Sequence, residues 1–248
     1  MVKTNPSHLK EKYKLLSEKL DRELLKISFK ENKENIVYLP DLIKKQNVEM
    51  VIKYKENAYL RESVALNLIK AAKYFKNKNF TLELESAYRS INEQKKRFIS
   101  RYASIKKKYP NKPKSELLKL ANTYTAGILI LAAHTAGAAV DVLLKDWKNS
   151  SLDFGTDYLN GDEKSVTDYP NLSKKVKANR KILKKGMEKF GFTNYPFEYW
   201  HYSIGDVFAA YFNKQKYAKY GPVNYDMKKN ITIFSNNKKD LYKFFKIR

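Results

Sequence analysis

The sequence predicts a single domain that mixes helices and strands, and three observations lead there. Apolar residues recur at three- and four-residue steps in some stretches and alternate with polar ones in others, so helices and strands both occur. No internal repeat or low-complexity linker divides the 248 residues. Hydrophobic residues make up 43% and aromatic residues 14%, and each Tyr and Phe brings a large apolar area to a core. A chain of this composition is not disordered.

In residues 1–35, Leu9, Tyr13, Leu16, Leu20, Leu24 and Ile27 mark one face of an amphipathic helix, with Pro6 and Ser7 at its start. This basic stretch reads as an N-terminal extension, and residues 36–248 as the domain proper. His8, on the polar leader, reads as a solvated residue or part of the helix start. Residues 36–39 and 48–54 are β-prone, with Pro40 between them. Residues 61–76 read as a helix with Val64, Leu66, Leu68, Ile69, Ala72 and Phe75 inward. Alternation over Phe80–Glu85 predicts a strand, which Arg89 follows. Residues 92–109 read as a basic helix ended by Pro110 and Pro113, and 115–124 as a shorter one. Residues 138–144 look like a buried strand interrupted by Asp141, and 145–172 like a long polar loop. A basic helix over 173–190 is capped by Gly191. Phe192–Tyr202 is aromatic and strand-like, Val207–Phe212 is apolar, Tyr220–Val223 is a turn, and the tail from Lys228 mixes Ile and Phe with Lys.

Fifty Lys and Arg oppose 26 Asp and Glu, for a net charge of +24. Such a balance suits a polyanionic partner, including an anionic cell-wall polymer, or a lysine-biased solvated surface. The basic residues are spread along the chain and no nucleic-acid motif accompanies them, so no specific nucleic-acid partner is expected. There is no cysteine, which excludes disulfides, thiolate metal sites and a Cys nucleophile. No apolar run reaches membrane-spanning length, and the N-terminus shows no signal-peptide h-region. A periplasmic, secreted or wall-associated protein follows if a leader has been removed, and a cytoplasmic one otherwise.

Two of the three histidines have carboxylates close in sequence: His134 with Asp141, and His201 with Glu198. A lone carboxylate in an apolar strand is costly unless it pairs with a cation or a metal, which singles out Asp141. Two His and one carboxylate, with an open fourth position, form a donor set that catalytic zinc sites use. Glu198 is then free for proton transfer, and Arg89 can hold negative charge on an attacked carbonyl oxygen. The competing reading makes both histidines ordinary core or edge residues.

His134-x6-Asp141, with Gly137 and Ala139 inside it, resembles the His-x-x-Gly-x-Ala-x-Asp signature of the zinc D-Ala-D-Ala peptidases. Glu198-Tyr-Trp-His201 resembles their Glu-x-Trp-His motif, and Ala87-Tyr-Arg-Ser90 their Ala-Tyr-Arg segment. Phe154-Gly-Thr-Asp157 resembles the Met-Gly-Thr-x-Phe-Asp loop, and Gly191–Pro196 the segment entering the second metal motif. The resemblance covers roughly residues 48–225. It implies one Zn²⁺ held by His134, Asp141 and His201, Glu198 as general base and acid, and Arg89 as oxyanion and substrate anchor. It also implies an α+β fold with a central antiparallel sheet carrying the site. The implied activity is hydrolysis of a bond between D-residues in peptidoglycan or its precursors, with the dipeptidase branch fitting best. Its alternatives are a D,D- or L,D-carboxypeptidase or endopeptidase on stem peptides, or a non-catalytic wall-binding protein on the same scaffold. Ala132 stands where the family often has Ser, and Tyr199 where Trp is common.

Overall fold

A computed structural model describes residues 6–226, 229, 231–234 and 238–247. The remaining tail residues of the predicted Ile/Phe/Lys mix, and the His8 side chain, lie outside that set. Helix α1 (Pro6–Leu24) leads to β1 (Ile36–Tyr38), α2 (Leu39–Gln46), β2 (Val51–Ile52) and β3 (Tyr59–Arg61). Then come α3 (Glu62–Lys76), β4 (Thr81–Ser86), α4 (Ile91–Lys108), α5 (Lys114–Tyr124) and β5 (Ala139–Lys145). The C-terminal part holds α6 (Lys174–Glu188), β6 (Thr193–Asn194), β7 (His201–Ser203), α7 (Val207–Phe212), β8 (Val223–Asp226), β9 (Ile231–Phe234) and α8 (Lys238–Leu241).

The central sheet has five strands in the order β2-β4-β5-β7-β6. It is antiparallel except at its edge, where β2 runs parallel to β4. One face of the sheet packs on α3 and α6. Leu68, Ile69 and Phe75 of α3 and Leu183 and Met187 of α6 share a core with Leu82, Leu84, Val140, Val142 and Trp200. β5, the middle strand, is buried on both faces, so its near-continuous apolar run obeys the pattern for a central strand.

Two sequence expectations need correction and a third a refinement. Leu16 is 43% exposed and does not join the apolar face of α1. Leu9, Leu20 and Leu24 are buried, but Ser17 takes the slot between them, its hydroxyl 3.4 Å from the Tyr195 hydroxyl. Leu16 is displaced by one helical step of about 100°. Secondly, Phe192–Tyr202 is not one strand but β6, a turn and β7. Pro196 has no N–H for a ladder, and the Asn194 amide donates to the carbonyls of Glu198 and His201, both at 3.1 Å, folding the segment back. Thirdly, the sheet is not purely antiparallel, because β2 joins by a crossover through α3.

Gly191 closes α6 as a Schellman cap. It has φ +83°, its N–H donates to the Glu188 carbonyl at 3.0 Å, and Phe192 N–H donates to the Met187 carbonyl at 3.3 Å.

Candidate metal centre

His134 sits on a 3-10 turn, Ala133–Ala136, immediately before β5. Gly137 ends that turn with φ +66°, a left-handed conformation that lets the chain reverse into β5. The seven-residue separation of His134 and Asp141 is thereby bridged by a turn, not by a continuous strand. Asp141 lies within β5 and is the cross-strand partner of His201 at the start of β7. Antiparallel neighbours of this kind place their side chains side by side.

The three side chains converge. One donor atom from each of His134, Asp141 and His201 lies within 4.8 Å of the others, a group that could hold a metal ion. Asp141 Oδ1 is 3.3 Å from His134 Nε2 and 2.9 Å from His201 Nδ1. The imidazole rings meet edge to face, with centroids 4.9 Å apart. The other nitrogen of His134, Nδ1, is 2.6 Å from the Ala87 carbonyl. A carbonyl can only accept, so this contact places the proton on Nδ1 and leaves Nε2 with a lone pair turned towards Asp141. His134 is 6% exposed and Asp141 3%, so the cluster is largely withdrawn from water.

The charges suit a cation. Burial opposes ionisation of Asp141, but the two imidazoles override it and hold its carboxyl well below the usual range. Burial lowers the His134 pKa, which favours the neutral, ligating form. Burial also disfavours charge on His201, but the hydrogen bond and charge of Asp141 raise its pKa overall. Two imidazoles packed around one buried carboxylate make a donor set of the zinc type.

Glu198 lies in the turn before β7, where His201 N–H donates to its carbonyl at 3.1 Å. Its carboxylate accepts from the Trp200 indole N–H at 3.2 Å. Burial pushes its pKa up, while the charges of His201 and Arg89 draw it down. Arg89 follows β4, its backbone N–H donating to the His134 carbonyl at 3.2 Å. Arg89 donates through one terminal nitrogen to Gln94 Oε1 at 2.9 Å, and Gln94 in turn donates to the Ala126 carbonyl at 2.8 Å. The predicted residues therefore occupy one region at the end of β4, β5 and β7. Beside Arg89 a cavity of about 300 Å³ is lined by Lys53, Glu85, Ser86, Arg89, Arg97 and Tyr158.

The sequence reading missed three residues here. Tyr158, in the long loop, donates its hydroxyl to Asp141 Oδ2 at 2.8 Å. Burial and then the Asp141 charge raise its pKa, so it stays a donor. Gln94, 2% exposed, holds Arg89. Arg180, 3% exposed, donates to the carbonyls of Phe154 (2.5 and 2.9 Å), Lys164 (2.7 Å), Val166 (2.6 Å) and Thr167 (3.3 Å), and its guanidinium lies 4.3 Å over the Tyr199 ring. It pins the loop that carries Tyr158. Gln94 and Arg180 carried a signal: each falls on the apolar stripe of its helix, with Phe98, Tyr102 and Ile105 in one case and Val176, Leu183 and Met187 in the other.

Comparison with known proteins identifies the family of the chain. D-alanyl-D-alanine dipeptidases are similar to parts of the chain. That of Synechocystis sp. is 34% identical over 110 residues, covering 36% of this chain and 43% of the relative. That of Enterococcus faecalis is 32% identical over 101 residues, covering 40% and 48%. The chain thus spans less than half the length of these curated relatives. Among solved structures, the LD-carboxypeptidase LdcB aligns with a TM-score of 0.42 at 17% identity, covering 74% of this chain and 76% of that one. VanYB in complex with D-alanine-D-alanine aligns with a TM-score of 0.40 at 16% identity, covering 68% and 83%. The family of peptidases M15, described as D-Ala-D-Ala dipeptidase, matches residues 42–220, a span that contains the whole cluster from Arg89 to His201, and the chain belongs to that family.

Proposed function

We propose that this protein is a zinc-dependent hydrolase of a peptide bond between D-amino acids, of the D-Ala-D-Ala dipeptidase type, acting on peptidoglycan or its precursors. The observation that carries the proposal is the convergence of His134, Asp141 and His201, one donor atom of each within 4.8 Å of the others and Asp141 Oδ1 3.3 Å from His134 Nε2 and 2.9 Å from His201 Nδ1, inside the span that matches the peptidase family. These three would hold one zinc per chain. Bound zinc polarises a carbonyl oxygen and lowers the pKa of a coordinated water towards ~7.

The chain's own residues do the rest. Glu198 accepts the proton of the attacking water and returns it to the leaving amine, a role that its raised pKa suits. The Trp200 indole fixes the carboxylate for that task. Arg89, steadied by neutral Gln94 and, among the described residues, in no ion pair with a carboxylate, lines the cavity and stabilises the negative charge growing on the carbonyl oxygen. We read residues 36–248 as the peptidase domain and 1–35 as an extension whose helix packs on it through Leu20 and Leu24. We also read the basic surface as a contact for an anionic wall polymer, to be recognised by binding that weakens steeply with salt.

One experiment tests the core of the reading. The full chain is incubated with D-Ala-D-Ala, a pentapeptide stem and intact peptidoglycan, and products are identified by mass. A dipeptidase cleaves the first alone. Cleavage of the stem instead supports the carboxypeptidase reading, for which a 300 Å³ cavity open beside Arg89 leaves room. Glu198→Ala should abolish turnover with zinc still bound. Retained turnover in that variant rejects the base assignment.

A further inference from the structure

Asp141 has two oxygens with different partners. Oδ1 faces both imidazoles, at 2.9 and 3.3 Å, while Oδ2 accepts from the Tyr158 hydroxyl at 2.8 Å. The Tyr158 ring stands edge-on to Trp200, centroids 5.4 Å apart and planes at 82°. Trp200 is the residue whose indole N–H holds Glu198. One side chain therefore touches a metal-ligand candidate through its hydroxyl and the support of the proton-transfer residue through its ring. It also lines the cavity beside Arg89.

The loop bearing Tyr158 is fixed on both sides. Arg180 grips the Phe154 carbonyl before it and the Lys164 and Val166 carbonyls after it. The Tyr199 hydroxyl donates to the Thr156 carbonyl at 2.9 Å, and the Thr156 hydroxyl donates to Asp162 at 3.0 Å. A hydroxyl delivered by so tethered a loop has a defined position, unlike one on a free surface segment.

We infer that Tyr158 is a positioning residue for the metal centre: its hydroxyl occupies Asp141 Oδ2 and leaves Oδ1, the oxygen facing both imidazoles, as the one turned towards where a metal would be held. A carboxylate held this way keeps one orientation whether or not the ion is bound, so less ordering is lost when the ion arrives. The inference rests on the zinc-peptidase reading, since it needs a metal to position for.

The test compares wild type, Tyr158→Phe and His134→Ala as full-length proteins. Zinc affinity is measured by competition with a chromogenic chelator, and circular dichroism of the zinc-free proteins verifies folding. Removing an outer-shell partner weakens metal binding by about tenfold to a hundredfold, and Tyr158→Phe is expected to fall in that range. His134→Ala is expected to lose zinc altogether. Wild-type affinity in Tyr158→Phe, beside loss in His134→Ala, overturns the role of Tyr158 and leaves the zinc reading standing. A wild type that takes up no zinc overturns both.

Discussion

Replacing Arg180 by Met should be among the most damaging single changes in the chain outside the metal cluster. The side chain is 3% exposed and its three nitrogens donate to four backbone carbonyls, those of Phe154, Lys164, Val166 and Thr167. Met fills similar volume and supplies no donor. Each buried acceptor left without a partner costs ~1–3 kcal/mol. The Thr167 contact is long at 3.3 Å and shares its donor with Val166, so three strong acceptors carry most of the effect. Part of the penalty is offset because Met avoids burying a guanidinium, whose pKa burial here lowers to about 10. The expected net loss is about 3–5 kcal/mol, a large share of the ~5–15 kcal/mol that stabilises a typical domain. At about 2–4 °C per kcal/mol for a chain of this size, the midpoint of thermal unfolding should fall by roughly 10 °C. Arg180→Lys retains the charge but offers a single point donor in place of a planar fork, and should recover less than half of the loss. Thermal melts by circular dichroism at pH 7 decide the matter. A drop of under 3 °C in Arg180→Met would mean that the loop carbonyls find other partners and that Arg180 does not organise the loop.

Three further outcomes follow from the same structure. Burial, with a smaller contribution from Glu18, raises the Asp21 carboxyl to about 6 from its usual 3.8, against the Asn122 amide donating at 2.7 Å. The folded state holds that proton more tightly than the unfolded one, so stability falls as pH rises from about 4 through 6, by at most ~3 kcal/mol. Asp21→Asn, which keeps an acceptor for Asn122, should therefore raise the denaturant midpoint at pH 8 and leave it nearly unchanged at pH 4; an equal gain at both values excludes a proton-linked cause. Gly137→Ala forces an L-residue to φ +66° and brings a methyl to 3.0 Å from Ile36 Cδ1, costing about 1–2 kcal/mol and loosening zinc through His134, as chelator competition would show. Gln94→Ala frees Arg89 from its 2.9 Å tether, and kcat/KM should fall about tenfold to a hundredfold at unchanged zinc content; unaltered kinetics would show that Arg89 needs no such support.

The sequence made some parts of this molecule readable and concealed others for identifiable reasons. The strands β4 and β5 and the helices α3, α4 and α6 announce themselves because burial imposes a period on their side chains. Asp141 stood out because a charge in an apolar strand demands a partner. Its meeting with His201 came from the family resemblance, since cross-strand register is a property of the assembled sheet and the two lie 60 residues apart in the chain. Tyr158 was passed over: a polar loop has no periodicity against which one aromatic residue can be judged, and its place at the Phe position of the Met-Gly-Thr-x-Phe-Asp resemblance was the one signal it carried. Arg180 was disguised by its setting: in a helix crowded with lysine, one more cation reads as solvated, and only its place on the Val176–Leu183–Met187 stripe tells otherwise. The turn over 195–200 escaped because its cause is the Asn194 side chain bonding to backbone four and seven residues on.

Arg61 shows what such wiring means for a chain still being made. Fully buried, it donates to the Ala136 carbonyl on the histidine-bearing turn at 2.9 Å, to the Glu34 carbonyl at 2.6 Å, to the Glu31 carboxylate at 3.1 Å and to the Gly221 carbonyl at 3.4 Å. Its guanidinium also stacks over Tyr220 and Phe234. The earliest and latest thirds of the polypeptide are thus knotted through one guanidinium directly behind His134. A nascent chain that has emerged only as far as His201 owns every proposed ligand yet lacks the strap that steadies the first of them. Competence to bind metal should accordingly arrive late in synthesis, after the ribosome has released the segment around Gly221.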